Sequence, residues 1–311
     1  LIVVASRNGR VGIKQAVEVL RRGGTALDAV EAGIIPVESN PDDHSVGYSG
    51  YPNLLGEVEL DASIMDGRTL ASGAVGAVKG YEHPISIARK VMEELPHCFL
   101  VGPGAERFAR EVGFQPRDLL TPEAEKVWEE ILSTKVPEVY GRRHKYLESI
   151  RRFVKIAADP EKPNETVNFI AQDGRGDVAC GVSTSGWAWK YPGRLGDSPV
   201  IGAGNYADNL HGAAACTGRG EMAIRCATAR SIVLYMKTGM SLEEAGREAF
   251  RDLDRLVDPF AGSMNAIALA PDGTHAAFSN VPEATYVYMT PDLAEPVELP
   301  RTYCRPAKPL P

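Results

Sequence analysis

The chain of 311 residues predicts an α+β fold in which sheets pack on one another and helices lie outside. Strands cluster in two groups, helices cluster in two groups, and strict strand–helix alternation is missing. "LIVVA" reads as a short buried strand. In "VGIKQAVEVLRRGG", Ile13, Ala16, Val17 and Leu20 fall at helical spacing and Gly23-Gly24 is a stop. Thr25 is placed as the N-cap of a second helix, "TALDAVEAGIIPVES". A glycine-rich loop, "DDHSVGYSGYPNLLG", precedes strands running through "VELDASIMDGRTLASGAVGAV", with Asp66-Gly67 as the hairpin turn. "PISIARKVMEEL" and "GAERFAREVG" are amphipathic helices flanking the strand "CFLVG". A helix near Pro122 to Leu132 and a basic stretch, "YGRRHKYLESIRRFVK", with the charge of a solvated helix face, lead into a linker.

After the linker come two strands, a polar loop, two helices and three short strands. In the first of these helices Met222, Cys226, Ala229, Val233 and Met236 step by four and three, which makes one buried face. Pro271-Asp272-Gly273 marks a hairpin.

Composition excludes several classes. Apolar residues at 44% and charged residues at 24% are ordinary for a globular chain. A net charge of −7 and a pI near 5.5 give no electrostatic footprint for nucleic acid or an anionic membrane. No apolar run approaches the roughly 20 residues a spanning helix needs. Five scattered cysteines without a C-x-x-C pair argue against a disulfide framework, so cytoplasm is the expected compartment. The opening "LIVVASRNGR" shows no basic-then-apolar leader, and a periplasmic or secreted location stays open if one was removed. The six histidines are spread without metal-ligand spacing, so neither a metal nor a cofactor is expected. "GAGNYA" at Gly202 matches G-x-G-x-x-A, but no helix begins after it, and a glycine pattern alone is a weak nucleotide signal.

The informative stretch is "KPNETVNFIAQDGRGDVACGVSTSG", in which a charged, proline-marked linker runs into Thr166 and then into apolar strand. It reads either as an ordinary linker-to-strand boundary or as a cleavage point that makes Thr166 a new N-terminus. Downstream stand Thr184 in "STSG", Arg194 and Asp197 in "GRLGDSP", and Thr217-Gly218 in "AAACTGRGE". Threonines favour strands, and Arg and Asp three apart form local ion pairs. Taken together, these residues supply a hydroxyl nucleophile, a cation, a carboxylate and a hydroxyl beside a flexible amide. That is an inventory for hydrolysing an amide of an amino-acid substrate.

At these residues the chain resembles the glycosylasparaginase and plant-type asparaginase family of N-terminal nucleophile hydrolases. The resemblance covers nearly the whole chain, from "GGTALDAVEAG", "SVGYSG" and "LDASIMDG" to "GRLGDSPVIGAGNYAD" and "GAAACTGRGE". It implies a four-layer αββα sandwich forming one domain, self-cleaved between Glu165 and Thr166 into segments 1–165 and 166–311. It also implies a dimer of such cleaved pairs and a small asparagine-derived substrate. By the same resemblance Thr166 is the nucleophile and Thr184 its hydrogen-bonding neighbour. Arg194 takes the substrate α-carboxylate, Asp197 the α-ammonium, and Thr217 with Gly218 forms the oxyanion hole. The chemistry agrees: an N-terminal amine with a pKa of about 7.7–8.0 can serve the hydroxyl as base, and an arginine fork suits a carboxylate.

Three positions depart from the family pattern. Asn164-Glu165 replaces His-Asp or Gly before the nucleophile, and Asn168 stands where glycine is usual. Ser6, followed by Arg7-Asn8, falls where glycosylasparaginases place a pocket tryptophan. The first two bear on self-cleavage, expected to be slow, and the third on the leaving group.

Overall fold

The computed structural model describes residues 1–135, 166–258 and 260–307. The first half supplies strands β1 (Ile2–Ser6), β2 (Leu60–Asp66), β3 (Ser72–Val78) and β4 (Phe99–Val101). Its helices are α1 (Ile13–Arg21), α2 (Ala26–Glu38), α3 (Pro84–Glu94), α4 (Gly102–Glu111) and α5 (Pro122–Lys135). The second half supplies β5 (Val167–Gln172), β6 (Val178–Thr184), β7 (Asn205–Asp208) and β8 (Gly212–Gly218). Helices α6 (Gly220–Cys226), α7 (Thr228–Lys237) and α8 (Leu242–Leu253) follow. Then come β9 (Met264–Leu269), β10 (His275–Ser279), β11 (Thr285–Met289), β12 (Val297–Pro300) and β13 (Thr302–Tyr303). The basic stretch and Glu165 lie outside the described residues.

The strands form an eight-stranded sheet, ordered β12-β11-β1-β5-β6-β2-β3-β4, and a five-stranded sheet, ordered β13-β10-β9-β8-β7. Strand periodicity divides their side chains. Val167, Phe169 and Ala171 of β5 join α1 to α4 in one buried cluster. Ile170 of the same strand joins Ile2, Val4, Cys180 and Val182 against Ala213, Ala215, Ile267 and Leu269 of the other sheet. The outer face of the smaller sheet packs Ala214, Cys216 and Ala266 on α6 to α8.

Local signals hold where local physics decides. Ile13, Ala16, Val17 and Leu20 are the buried stripe of α1. Thr25 caps α2 in a reciprocal capping box with Asp28. The hairpin across Pro271-Asp272-Gly273 joins β9 to β10.

Two expectations are corrected. The β2–β3 turn is longer than Asp66-Gly67: the chain crosses through residue 71, and Leu70, not the glycine, takes the left-handed conformation at φ 60°. Gly67 is required for closeness instead, because a Cβ there would lie 2.7 Å from the Val178 carbonyl oxygen. The helix read through Met222 to Met236 is two helices, broken at Ala227 (φ 48°, ψ 47°). The restart is satisfied by a neighbouring loop, whose Ala203 and Gly202 carbonyls accept the N–H groups of Ala229 and Arg230 at 3.3 and 2.8 Å. Met222, Ala229 and Val233 still share one buried cluster. "GAGNYA" runs into β7, not a helix.

Candidate active site

Period-2 alternation builds the site. Thr166 and Asn168 alternate with Val167 and Phe169, so they share the inter-sheet face of Ile170. By the same count Ser6 follows Ile2 and Val4, and Thr184 follows Cys180 and Val182. Thr217 follows Ala213 and Ala215, and Asn265 precedes Ile267 and Leu269. Six strand positions therefore change from apolar to polar at one end of the inter-sheet layer. Register supports the clustering: Val167 pairs with Ser183, and Thr217 with Asn265.

Thr166 is buried, and its Oγ1 donates to Thr184 Oγ1 at 3.2 Å. Thr184 Oγ1 donates to the Ser45 carbonyl at 3.3 Å and accepts the Gly186 N–H at 2.9 Å. Thr166 and Thr217 open on one cavity of about 210 Å³, also lined by Ser6, Arg7, Asn8 and Asn265. Gly218 has φ +112°, and a Cβ there would meet the Ser263 carbonyl oxygen at 2.2 Å. Only glycine fits that turn beside Thr217.

Arg194 and Asp197 do not line this cavity. Arg194 approaches the threonine pair through Gly186, whose N–H donates to Thr184 Oγ1 and where a Cβ would lie 2.9 Å from Lys190 Nζ and 3.6 Å from Arg194 Nη1. Arg194 and Asp197 do not pair with each other: Arg194 closes its fork on Glu221, with Nε to Oε1 at 3.1 Å and Nη2 to Oε2 at 2.9 Å. Burial works to raise the Glu221 carboxyl, but the Arg194 charge and hydrogen bond overcome it and hold it below the usual range. Trp187 lies under both Arg194 and Arg219, at 4.9 and 4.0 Å from its ring centroid.

Asp197 is buried with Oδ2 unpaired among the described residues, and burial pushes its carboxyl up to about 7 against the opposing Arg194 charge. Its folded pKa thus exceeds the ordinary 3.8. Stability is fully present below that unfolded value and is lost as pH rises to about 7, where a charge is buried on an unpaired oxygen. Asp197→Asn is therefore expected to raise the melting temperature strongly near pH 8 and little near pH 4, a gain of up to about 4 kcal/mol. Melting curves at both pH values check this, and equal gains at both would refute it.

Several neighbours carried no sequence signal. Lys190 in "GWAWKYP" is fully buried, its ammonium donating to the Glu59 carbonyl at 2.9 Å, and burial lowers its pKa. Glu221 sits in the quoted "TGRGE" segment, 27 residues from the Arg194 it holds, and no spacing in the sequence links the two. Among the described residues no group of His, Cys, Asp and Glu is placed to hold a metal ion, and no helix is long and apolar enough to cross a membrane.

A buried threonine hydroxyl, a second threonine in contact with it and an arginine–carboxylate cluster beside a glycine turn are the groups an amide hydrolase can use. The chain belongs to the asparaginase family, whose sequence model matches residues 7–297. It is 41% identical over 269 residues to the N(4)-(beta-N-acetylglucosaminyl)-L-asparaginase of Elizabethkingia miricola, covering 85% of this chain and 74% of that protein. It is 37% identical to the plant-type L-asparaginase of Thermococcus kodakarensis, covering 92% and 91% of the two chains. With the isoaspartyl peptidase/L-asparaginase of Mus musculus it shares 39% identity, covering 77% and 70%.

Proposed function

We propose that this protein is an amidohydrolase, activated by cleavage at Glu165–Thr166, that hydrolyses the side-chain amide of asparagine derivatives. The observation that carries the reading is the Thr166–Thr184 hydroxyl contact at the cavity shared with Thr217. Once freed, the Thr166 α-amine takes the hydroxyl proton as Oγ1 adds to the amide carbon. Thr217 Oγ1 and the Gly218 N–H stabilise the oxyanion, a contribution of about 3–4 kcal/mol for one such donor. The protonated amine then gives its proton to the leaving nitrogen as the C–N bond breaks. Water, deprotonated by the same amine, hydrolyses the acyl ester and restores Thr166. Arg194, its plane set by Glu221, takes the α-carboxylate, and Asp197, a buried acceptor with Oδ2 unpaired, takes the α-ammonium. The fold reading is a four-layer αββα sandwich, supported by one buried cluster shared by both sheets and two others between sheet and helices. A dimer of cleaved pairs completes it.

The relatives' names divide among three leaving groups, and the cavity wall favours breadth. Ser6 stands where a tryptophan would give an apolar face, and Arg7, Asn8, Thr285 and Arg301 line the same cavity. Loss of even part of an aromatic contact is worth about a kcal/mol or more at 25 cal/mol per Å². Activity is therefore expected on L-asparagine, on a β-aspartyl dipeptide and on N-acetylglucosaminyl-asparagine, the last favoured only modestly. Comparing kcat/KM for the three tests this. A preference for the glycosylated substrate beyond about a hundredfold, or about 2.7 kcal/mol, would overturn the breadth. Absence of turnover on all three would favour the second reading, an amino-acid-binding relative that does not cleave itself, which the Glu165 and Asn168 departures motivate.

A further inference from the structure

The two departures at Ser6 and Asn168 are one structural unit. The β1–β5 ladder ends at Ala5 and Phe169. Beyond it, the Ser6 N–H donates to Asn168 Oδ1 at 3.1 Å and the Asn168 N–H donates to Ser6 Oγ at 3.1 Å. Side-chain oxygens thus stand in for the ladder's carbonyls, and Asn168 Nδ2 stays buried without a partner among the described residues. The chain of donors continues outward. Ser6 Oγ donates to Asn8 Oδ1 at 2.7 Å, and Asn8 Nδ2 donates to Asp43 Oδ2 at 3.0 Å. The other oxygen of the same carboxylate, Oδ1, accepts the Ser45 N–H at 2.9 Å and Ser45 Oγ at 2.5 Å. Ser45 in turn offers its carbonyl to Thr184 Oγ1, the group that touches the nucleophile hydroxyl.

One half-buried carboxylate therefore anchors two arms. One reaches the hydroxyl beside Thr166, and the other reaches the residue two positions after it, on the same face of the strand. In the second arm the Asn168 N–H, Ser6 Oγ and Asn8 Nδ2 each donate toward Asp43, while the Ser6 N–H returns a bond to Asn168 Oδ1, so the carboxylate polarises the arm and fixes which way the Asn8 amide points. We infer that Asp43 is a positioning residue for the hydrolysis, holding Thr184 and the Thr166 strand end in register from one side chain. This inference rests on the amidohydrolase reading above, and it adds a part the catalytic inventory lacks. Asp43 touches neither substrate nor nucleophile; it acts through Ser45 and through Asn8, Ser6 and Asn168. Small misplacements of a nucleophile reduce rate far more than they reduce binding.

An exchange of the two side chains tests it. Asp43→Asn sets an amide N–H2 against the Asn8 N–H2, and Asn8→Asp sets two carboxylates together. The double variant restores a donor facing an acceptor. Its amide at position 43 can still accept from Ser45 and donate to the carboxylate at position 8, which can still accept from Ser6. Turnover is measured on protein shown by intact mass to be fully processed, with the best of the three substrates above, alongside melting curves. Each single variant is expected to lower kcat at least about tenfold with KM within about threefold, and the exchange to recover kcat to within about threefold of wild type. Ser45→Ala, which removes one donor to Asp43 at a buried position outside the cavity lining, serves if either single variant fails to fold or process, and is expected to lower kcat at unchanged KM. Melting temperatures that fall while kcat holds would reduce Asp43 to a structural role and overturn the inference. So would losses that the exchange leaves unrepaired. Wild-type protein inert on all three substrates would instead sink the amidohydrolase reading, and this inference with it.

Discussion

Wild-type protein incubated at neutral pH is expected to resolve into two fragments, the second beginning at Thr166, while Thr166→Ala stays a single chain and loses all measurable turnover. In the proposed mechanism the same hydroxyl acts twice. In processing, Oγ1 attacks the Glu165 carbonyl carbon, the peptide C–N bond breaks, and water hydrolyses the ester to a Glu165 carboxylate and a Thr166 amine. In turnover that new amine is the base. Alanine removes both steps, and loss of a nucleophile costs at least about 10⁴ in kcat, roughly 5 kcal/mol or more. Thr166 is already in place, buried and in contact with Thr184. The carboxylate before it is one methylene longer than the aspartate of the His-Asp pattern, so processing is expected to be slow. Intact mass against time measures it. A wild-type chain that remains whole after prolonged incubation would favour the non-cleaving reading.

The second large effect concerns the α-substituents of the substrate. Blocking either the α-amine or the α-carboxylate is expected to reduce kcat/KM by two to three orders of magnitude, and Arg194→Met to do the same with the free substrate. Removing one partner of a buried charge pair strands the other, a loss of about 2–5 kcal/mol. Arg194 does not stand alone: Glu221 accepts from its Nε and Nη2, and Nη1 faces the Cβ-less surfaces of Gly186 and Gly196. A side chain at Gly196 would come within 3.0 Å of that nitrogen, so glycine keeps the approach clear. Kinetics with the free, N-acetylated and α-amidated amino acid separate the two contacts. Equal turnover of blocked and free substrate would remove Arg194 and Asp197 from the site.

The amino-acid pattern alone was sufficient for whatever depends on neighbours close in the chain. Alternation in "TVNFIAQ" and "VACGVST" divides each strand's side chains into two sets, because they reverse at every step, but both sets are buried and packing decides which one meets the other sheet. Thr25 and Asp28 cap α2 because the partners are three residues apart. Thr166 was legible as a polar residue at a linker-to-strand boundary, and the threonines, Arg194 and Asp197 as a chemically coherent set. Tertiary structure decided the rest, wherever the deciding partner is remote. Ala227 breaks a helix because the carbonyls of Gly202 and Ala203 cap its restart. Arg194 faces Glu221, 27 residues on, and not the nearby Asp197. Lys190 is buried because its ammonium finds the Glu59 carbonyl, 131 residues away. Ser6 and Asn168, 162 residues apart, meet only because β1 and β5 pair. Hydrogen bonds of this kind have no period and no fixed spacing; their partners are chosen when the sheets pack and buried polar groups must find donors and acceptors within reach.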